Sequence, residues 1–361
     1  MSNKFFQPIA FLLILILCQW SSQIVLSKQI DISTLTDLSA RRRYGALLQA
    51  YSEMSETYRA KPEILYLVGF ALMKIRKPEQ AKQYLQAALK RGFSGYPNWI
   101  SAREMLQKIN TIESLKPPFI EEINDENSQT KIRVYGLHTE WINYVVAALP
   151  AYLKRAEEVF GTNIPLTSFY LFADREAYDQ FFQTMFDGHQ PQHFQDGTGD
   201  KNIVLFCQIA DSGRIETPAG SSRALGNVLH EYSHSLCNTI YGDNYLVDVP
   251  QWLDEGIADY VAEPYFAQLY RSYDQRLKEF ARDNSPPSYK EMSRELHKDA
   301  NIRYAIACMM VKELVADKGA GFVSNLLARA IELRNFNKAI IEVAGYRPEV
   351  LLQRVIQKYW G

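Results

Sequence analysis

The stretch VLHEYSHSLCN, residues 228 to 238, most constrains what this chain can become. His230 and His234 stand four residues apart, with Glu231 directly after the first. On a helix that spacing puts both imidazoles on one face, their Cβ atoms about 5–6 Å apart, close enough to share one ion. The apolar residues agree. Leu225, Leu229, Tyr232 and Leu236 form a stripe, so a helix over residues 222–238 buries one side and presents the histidines on the other. Glu231 is too near in sequence to be a third ligand on the same axis, but it is well placed as a general base beside a metal-activated water. Taken alone, the motif leaves two readings open: a zinc site, or histidines on a polar helix surface.

The segment VPQWLDEGIADYVAE, residues 249 to 263, bears on that choice. Pro250 opens a second helix, on which Glu255 and Asp259 share a face with Trp252. Leu253, Ile257, Tyr260 and Val261 form the other side. Such a helix can bring Glu255 to the metal as third ligand and leave a fourth position open, as a catalytic Zn²⁺ site requires. Asp259, one turn further on, can accept the free ring N–H of a ligating histidine and fix its tautomer. An exposed acidic helix is the plainer alternative, and it does not account for this order and spacing.

The rest of the chain frames the motif. With 361 residues, 47% of them hydrophobic, it can bury a large core, and two domains are expected. A net charge of -1 gives no electrostatic reason to expect nucleic acid, and Arg41-Arg42-Arg43 reads as a solvated helix face. Residues 1–27 read as a signal peptide. Lys4 supplies the positive end, residues 9–18 the apolar run, and Val25 and Ser27 the small residues before a cut. The run is shorter than the roughly 20 residues of a membrane span, so the signal is the chain's one expected membrane contact, and export, with the periplasm as destination, is expected. A lipoprotein anchor at Cys18 is the weaker reading, because Leu17 stands where a small residue is wanted. Cys207, Cys237 and Cys308 remain after cleavage, and they read as buried small hydrophobes.

Residues 35–112 read as helical. Within them, helices of about 13 residues meet at Arg76-Lys77-Pro78. Leu65, Val68, Gly69, Leu72, Ala81, Leu85 and Ala88 follow the small-and-large spacing of a tetratricopeptide repeat, although Phe93 stands where such a repeat often has proline. Such helices either hold a peptide or protein partner on a concave face or brace the next domain. Residues 113–130, with a Pro-Pro pair and many acids and amides, read as a linker to a domain over 131–361. There, 131–135, 168–172 and 202–207 read as strands, 140–160 as a helix interrupted by Pro150, and Asp174 as a helix cap. The polar, glycine-rich stretch 187–200 reads as a loop, and its His189 and His193 as loop histidines.

HEYSH followed by WLDEGIADY resembles the gluzincins, the thermolysin- and aminopeptidase-type zinc peptidases, and most nearly their small exported bacterial members with tetratricopeptide-like helices. The resemblance spans about residues 130–360. It implies His230, His234 and Glu255 as ligands of Zn²⁺, Glu231 as general base and Asp259 as a supporting residue. It also implies an α+β, mostly helical fold, with a small sheet above the site helix and a helical C-terminal half. Asp254 stands where many relatives have asparagine. In the aminopeptidase branch a tyrosine opening a downstream helix donates to the oxyanion. Tyr304 has that context, with Tyr260 and Tyr270 as competitors. No glycine-rich segment with Met-Glu-Asn precedes the site, which disfavours an aminopeptidase and leaves an endopeptidase-like cleft acting on a peptide or protein. The rival expectation is a non-catalytic scaffold in which the helical repeat binds and the zinc domain is a relic.

Overall fold

The computed structural model describes residues 30–189, 197–207, 218–242, 245, 249–266, 273–294 and 300–361. The signal-peptide reading of 1–27, with Cys18, and the readings of His193 and Tyr270 lie outside these residues. The chain forms a mostly helical α+β fold with one five-stranded mixed sheet. Two compact units divide it: residues up to Leu72 with 80–103, and residues 73–79 with 104–361.

The first unit is built on α1 (Ile32–Ala40), α2 (Tyr44–Glu53), α3 (Glu56–Arg59) and the greater part of α4 (Pro62–Lys74) and α5 (Pro78–Lys90). Prolines open α4 and α5, where a missing N–H costs nothing because the first turn has no carbonyl to reach. Leu65, Val68, Leu72, Ala81, Leu85 and Ala88, the residues of the repeat-like spacing, are buried, and Leu85 lies against Gly69. Tyr66 packs edge-on against Phe93 and Tyr96 and donates its hydroxyl to the Ile100 carbonyl at 2.6 Å.

In the second unit, α6 (Ala102–Leu115) leads to β1 (Phe119–Asn124) and β2 (Thr130–Gly136), then α7 (Glu140–Phe160), β3 (Thr167–Phe172), α8 (Arg175–Met185), β4 (Gly197–Asp200) and β5 (Ile203–Cys207). The strand order is β1-β2-β3-β5-β4, parallel at the centre and antiparallel at both edges. Side chains alternate across a strand. Phe169, Leu171, Val204 and Phe206 therefore enter a core shared with α7, while Tyr170, Phe172, Ile203 and Leu205 enter another with Tyr178 and Phe181 of α8. With both faces covered, β3 and β5 read as unbroken apolar runs. The helical remainder comprises α9 (Pro218–Tyr241), α10 (Gln251–Phe266), α11 (Tyr273–Asp283), α12 (Tyr289–Arg294), α13 (Ala300–Lys318), α14 (Phe322–Leu333), α15 (Phe336–Ala344) and α16 (Pro348–Trp360). Among the described residues, no helix is long and apolar enough to cross a membrane. Cys207, Cys237 and Cys308 are buried free thiols.

Three expectations are corrected. Residues 113–130 are not a plain linker: α6 runs to Leu115, and 119–124 pair with β2. Their polar composition is that of an edge strand with an exposed face. Pro150 does not interrupt α7, which is continuous. An internal proline costs about 3 kcal/mol, but Pro150 lies on the exposed side, where water can take up the freed carbonyl, while ten other residues of the helix are buried. Finally, 197–200 is not loop but strand β4, held by its pairing with β5 rather than by any strand preference of Gly-Thr-Gly-Asp.

Candidate metal centre

The stripe of α9 does what its periodicity requires: Leu225, Leu229, Tyr232 and Leu236 are buried. Tyr232 packs its ring 5.0 Å from that of Phe169 under the sheet, and Tyr152 of α7 donates its hydroxyl to the Leu229 carbonyl at 2.6 Å. His230 and His234 consequently face the other way, toward α10. Their Nε2 atoms are 3.0 Å apart. Glu255 Oε2 lies 3.1 Å from the first and 3.4 Å from the second.

The outer nitrogens of both rings are also engaged. His230 Nδ1 is 2.8 Å from Asp259 Oδ1, and His234 Nδ1 is 2.9 Å from Asp254 Oδ1. A carboxylate facing Nδ1 fixes the proton there, so in each neutral ring Nε2 carries a lone pair. Two such lone pairs and a carboxylate oxygen then converge, an arrangement that repels itself unless a cation sits among them. The spacing suits one. Donors about 2.0–2.1 Å from a tetrahedral ion stand about 3.3 Å apart, and the three separations run from 3.0 to 3.4 Å.

Electrostatics repeat the point. Burial opposes charge on His230, yet its hydrogen bonds to Asp259 and Glu255 lift its pKa to about 10. Burial likewise opposes charge on His234, and Asp254 and Glu255 raise it well above the usual imidazole range. Burial alone would raise Glu255, but the two histidines hold it well below the carboxylate range. In effect the carboxylates demand positive charge between them, which protons supply when no cation does.

Two tyrosines complete the carboxylate pair. Tyr273 donates to Asp259 Oδ2 at 2.8 Å, and Tyr245 donates to Asp254 Oδ1 at 2.6 Å. Asp259, with 3% of its side chain exposed, is thereby satisfied from both ends. Asp259 stands where expected. Asp254, the unusual residue of the motif, is the matching partner of His234, a role the sequence reading missed. The helix pattern puts only Glu255 and Asp259, one turn apart, on a shared face; Asp254 is adjacent to Glu255, about 100° round the helix, and so has no shared-face signal. That face is not a solvated front, since Trp252 beside it is fully buried and donates to Tyr289 Oη at 3.1 Å.

No protein-family model matches this chain, and no curated protein matches it either. What the site can do follows from its own chemistry.

Glu231 points toward the sheet edge, where its Oε2 accepts the Gly199 N–H at 2.7 Å. Only glycine fits at 199, because a Cβ there would lie 1.8 Å from the Glu231 carbonyl oxygen. Burial raises the Glu231 pKa, while the charges of His234 and His230 and the Gly199 N–H counter it. A carboxyl shifted upward is a better proton acceptor than an unperturbed one, and among the described residues the Gly199 N–H holds it.

A second close approach brings in α13. At Gly256 a Cβ would meet the Ala307 carbonyl oxygen at 2.6 Å, so α10 and α13 touch backbone to backbone beside Glu255. This sets the half-buried Tyr304 at the site, its ring 6.4 Å from that of His230. Burial, then the charges of Glu255, Asp259 and Glu231, then a hydrogen bond to Glu255 raise its pKa. Tyr260 lies elsewhere, under the Arg155 guanidinium at 4.9 Å. Exposed His189 belongs to no metal-holding group among the described residues.

Proposed function

We propose that this protein is a zinc-dependent peptidase of the gluzincin kind, endopeptidase-like, with His230, His234 and Glu255 as ligands. The observation that carries the reading is the convergence of three lone pairs on one point, each histidine backed by its own carboxylate, with Glu231 alongside. The export expected of residues 1–27 belongs to this reading, as does a tetratricopeptide-like role for α4 and α5 in holding a protein partner.

Bound zinc would lower the pKa of the attacking water and polarise the scissile carbonyl. Glu231 would take a proton from the attacking water as the water oxygen bonds to the carbonyl carbon. It would then deliver the proton to the amide nitrogen as the C–N bond breaks, giving an amine and a carboxylic acid whose remaining proton passes to solvent. Asp254 and Asp259 hold the two imidazoles in the tautomer that offers Nε2. Gly199 N–H keeps the Glu231 carboxylate aimed between substrate and water. Tyr304 turns its hydroxyl from Glu255 to the carbonyl oxygen as negative charge develops there.

The test is direct. Purified protein should carry about one zinc per chain, as a single three-ligand site requires, and should cleave an unfolded protein. A chelator should stop the cleavage and added zinc restore it. Stoichiometric zinc without any turnover would favour the binding scaffold instead.

Tyr304→Phe should lower kcat by about 10²-fold, the scale for one lost oxyanion donor. Zinc content and KM should change little, because the ring and its packing remain. Steady-state kinetics with zinc assay on the same preparation provide the check; unchanged turnover would take the role from Tyr304, and Tyr270→Phe is the next variant to measure.

A further inference from the structure

We infer that Arg76 is a positioning residue for Glu231, acting through Asp200 and strand β4; the inference rests on the reading of Glu231 as the base. Arg76 belongs to the short segment 73–79, far in sequence from the site yet part of the second unit. Its Nε lies 2.9 Å from Asp200 Oδ2, with 16% and 20% of the two side chains exposed. Its Nη1 donates to the Met185 carbonyl at 2.7 Å, and its guanidinium lies over the Phe186 ring at 4.2 Å. The arginine adopts φ of +60°, a left-handed backbone uncommon for a residue with a side chain. Four specific features thus converge on one residue, three at its side chain and one in its backbone.

Asp200 is the last residue of β4, and the residue before it is Gly199, whose N–H holds Glu231. The turn that follows is pinned as well. Asn202 donates its side-chain amide to the Ile75 carbonyl at 3.0 Å and its backbone N–H to Thr239 Oγ1 of α9 at 2.9 Å. β4 has only four residues and two glycines, so it has little stiffness of its own. Beyond its pairing with β5, its placement on α9 is fixed at the Asp200 end, where Arg76 makes the charged tie. A strand free to shift by a fraction of an ångström would release the Glu231 carboxylate from its aim without disturbing the three ligands.

The experiment uses the zinc-loaded full chain and four variants: Arg76→Met, Asp200→Asn, the two combined and, as a control, Lys74→Met. Lys74 lies in the same stretch but pairs with Asp187, at 2.9 Å, rather than with Asp200. Arg76→Met should keep its zinc and its KM while kcat falls about 10-fold, as expected of a small misplacement of a catalytic group. Amide exchange at Gly199, read by mass spectrometry, should quicken. Asp200→Asn should do the same while leaving the strained turn at 76 untouched, and it serves if Arg76→Met folds poorly. The double variant should be no worse than either single one, because both remove the same tie. Lys74→Met should match the parent. Unchanged exchange at Gly199 in both variants overturns the inference, as does an equal loss of kcat in the Lys74 control. A parent chain that hydrolyses no peptide overturns the proposed activity instead, and exchange at Gly199 still decides whether Arg76 holds β4.

Discussion

Glu231→Gln should abolish hydrolysis while leaving metal and fold in place. A general base contributes about 10²–10⁴-fold to a proton-transfer step, and this carboxylate is proposed to act twice, on the water and on the leaving amine. Turnover should therefore fall by about 10³-fold or more. The substitution separates chemistry from architecture because glutamine retains an acceptor for the Gly199 N–H. It also removes a negative charge that burial disfavours. Zinc content and the thermal midpoint should accordingly match or exceed those of the parent. Cleavage at the parental rate would exclude Glu231 as the base, whereas loss of zinc would show that it acts on the metal.

The contrast between what could be read in the chain and what could not follows range of interaction. The helix carrying His230 and His234 has an apolar stripe over several turns, so local periodicity orients those side chains before any tertiary contact is known. In contrast, α10 is buried on most sides, and only the one-turn spacing of Glu255 and Asp259 pointed to a common face. β4 shows the opposite case. Gly-Thr-Gly-Asp has no strand preference, and it becomes a strand only because β5 pairs with it and α9 leaves room for nothing but glycine at 199. The hairpin of β1 and β2 was similarly hidden, since the acids of an edge strand look like those of a linker. Tyr245 and Tyr273 approach the carboxylates from outside the periodic segments, and Arg76 reaches Asp200 from 124 residues away. No spacing rule links such pairs. Asp254 lies inside a periodic segment, but adjacent to Glu255 rather than a turn from it, so the helix pattern did not couple it to His234.

Loss of a ligand should have the largest effect on the metal, and the variants should rank in a definite order. His230→Ala and Glu255→Ala each remove one of three converging donors, and zinc occupancy should fall sharply in both. The histidine change carries a second penalty. It strips the buried Asp259 of its Nδ1–H partner and leaves Tyr273 as the remaining donor among its described hydrogen bonds, so part of any loss will be loss of fold. Glu255→Gln avoids this, since the amide keeps the size of the side chain and changes mainly the charge on the oxygen. Residues that only orient a ligand typically cost about 10–100-fold in affinity when changed. Asp254→Asn and Asp259→Asn should fall in that range, and Glu255→Gln should exceed it. Chelator competition gives the affinities. The rise in thermal midpoint on adding zinc gives an independent reading, because a ligand that binds only the folded chain stabilises it in proportion to RT ln(1 + [Zn]/Kd). That rise should be large in the parent, reduced in the two asparagine variants and nearly absent in Glu255→Gln. Parental affinity in Glu255→Gln would remove Glu255 from the ligand set, and with it the reason for α10 to lie against the histidines of α9.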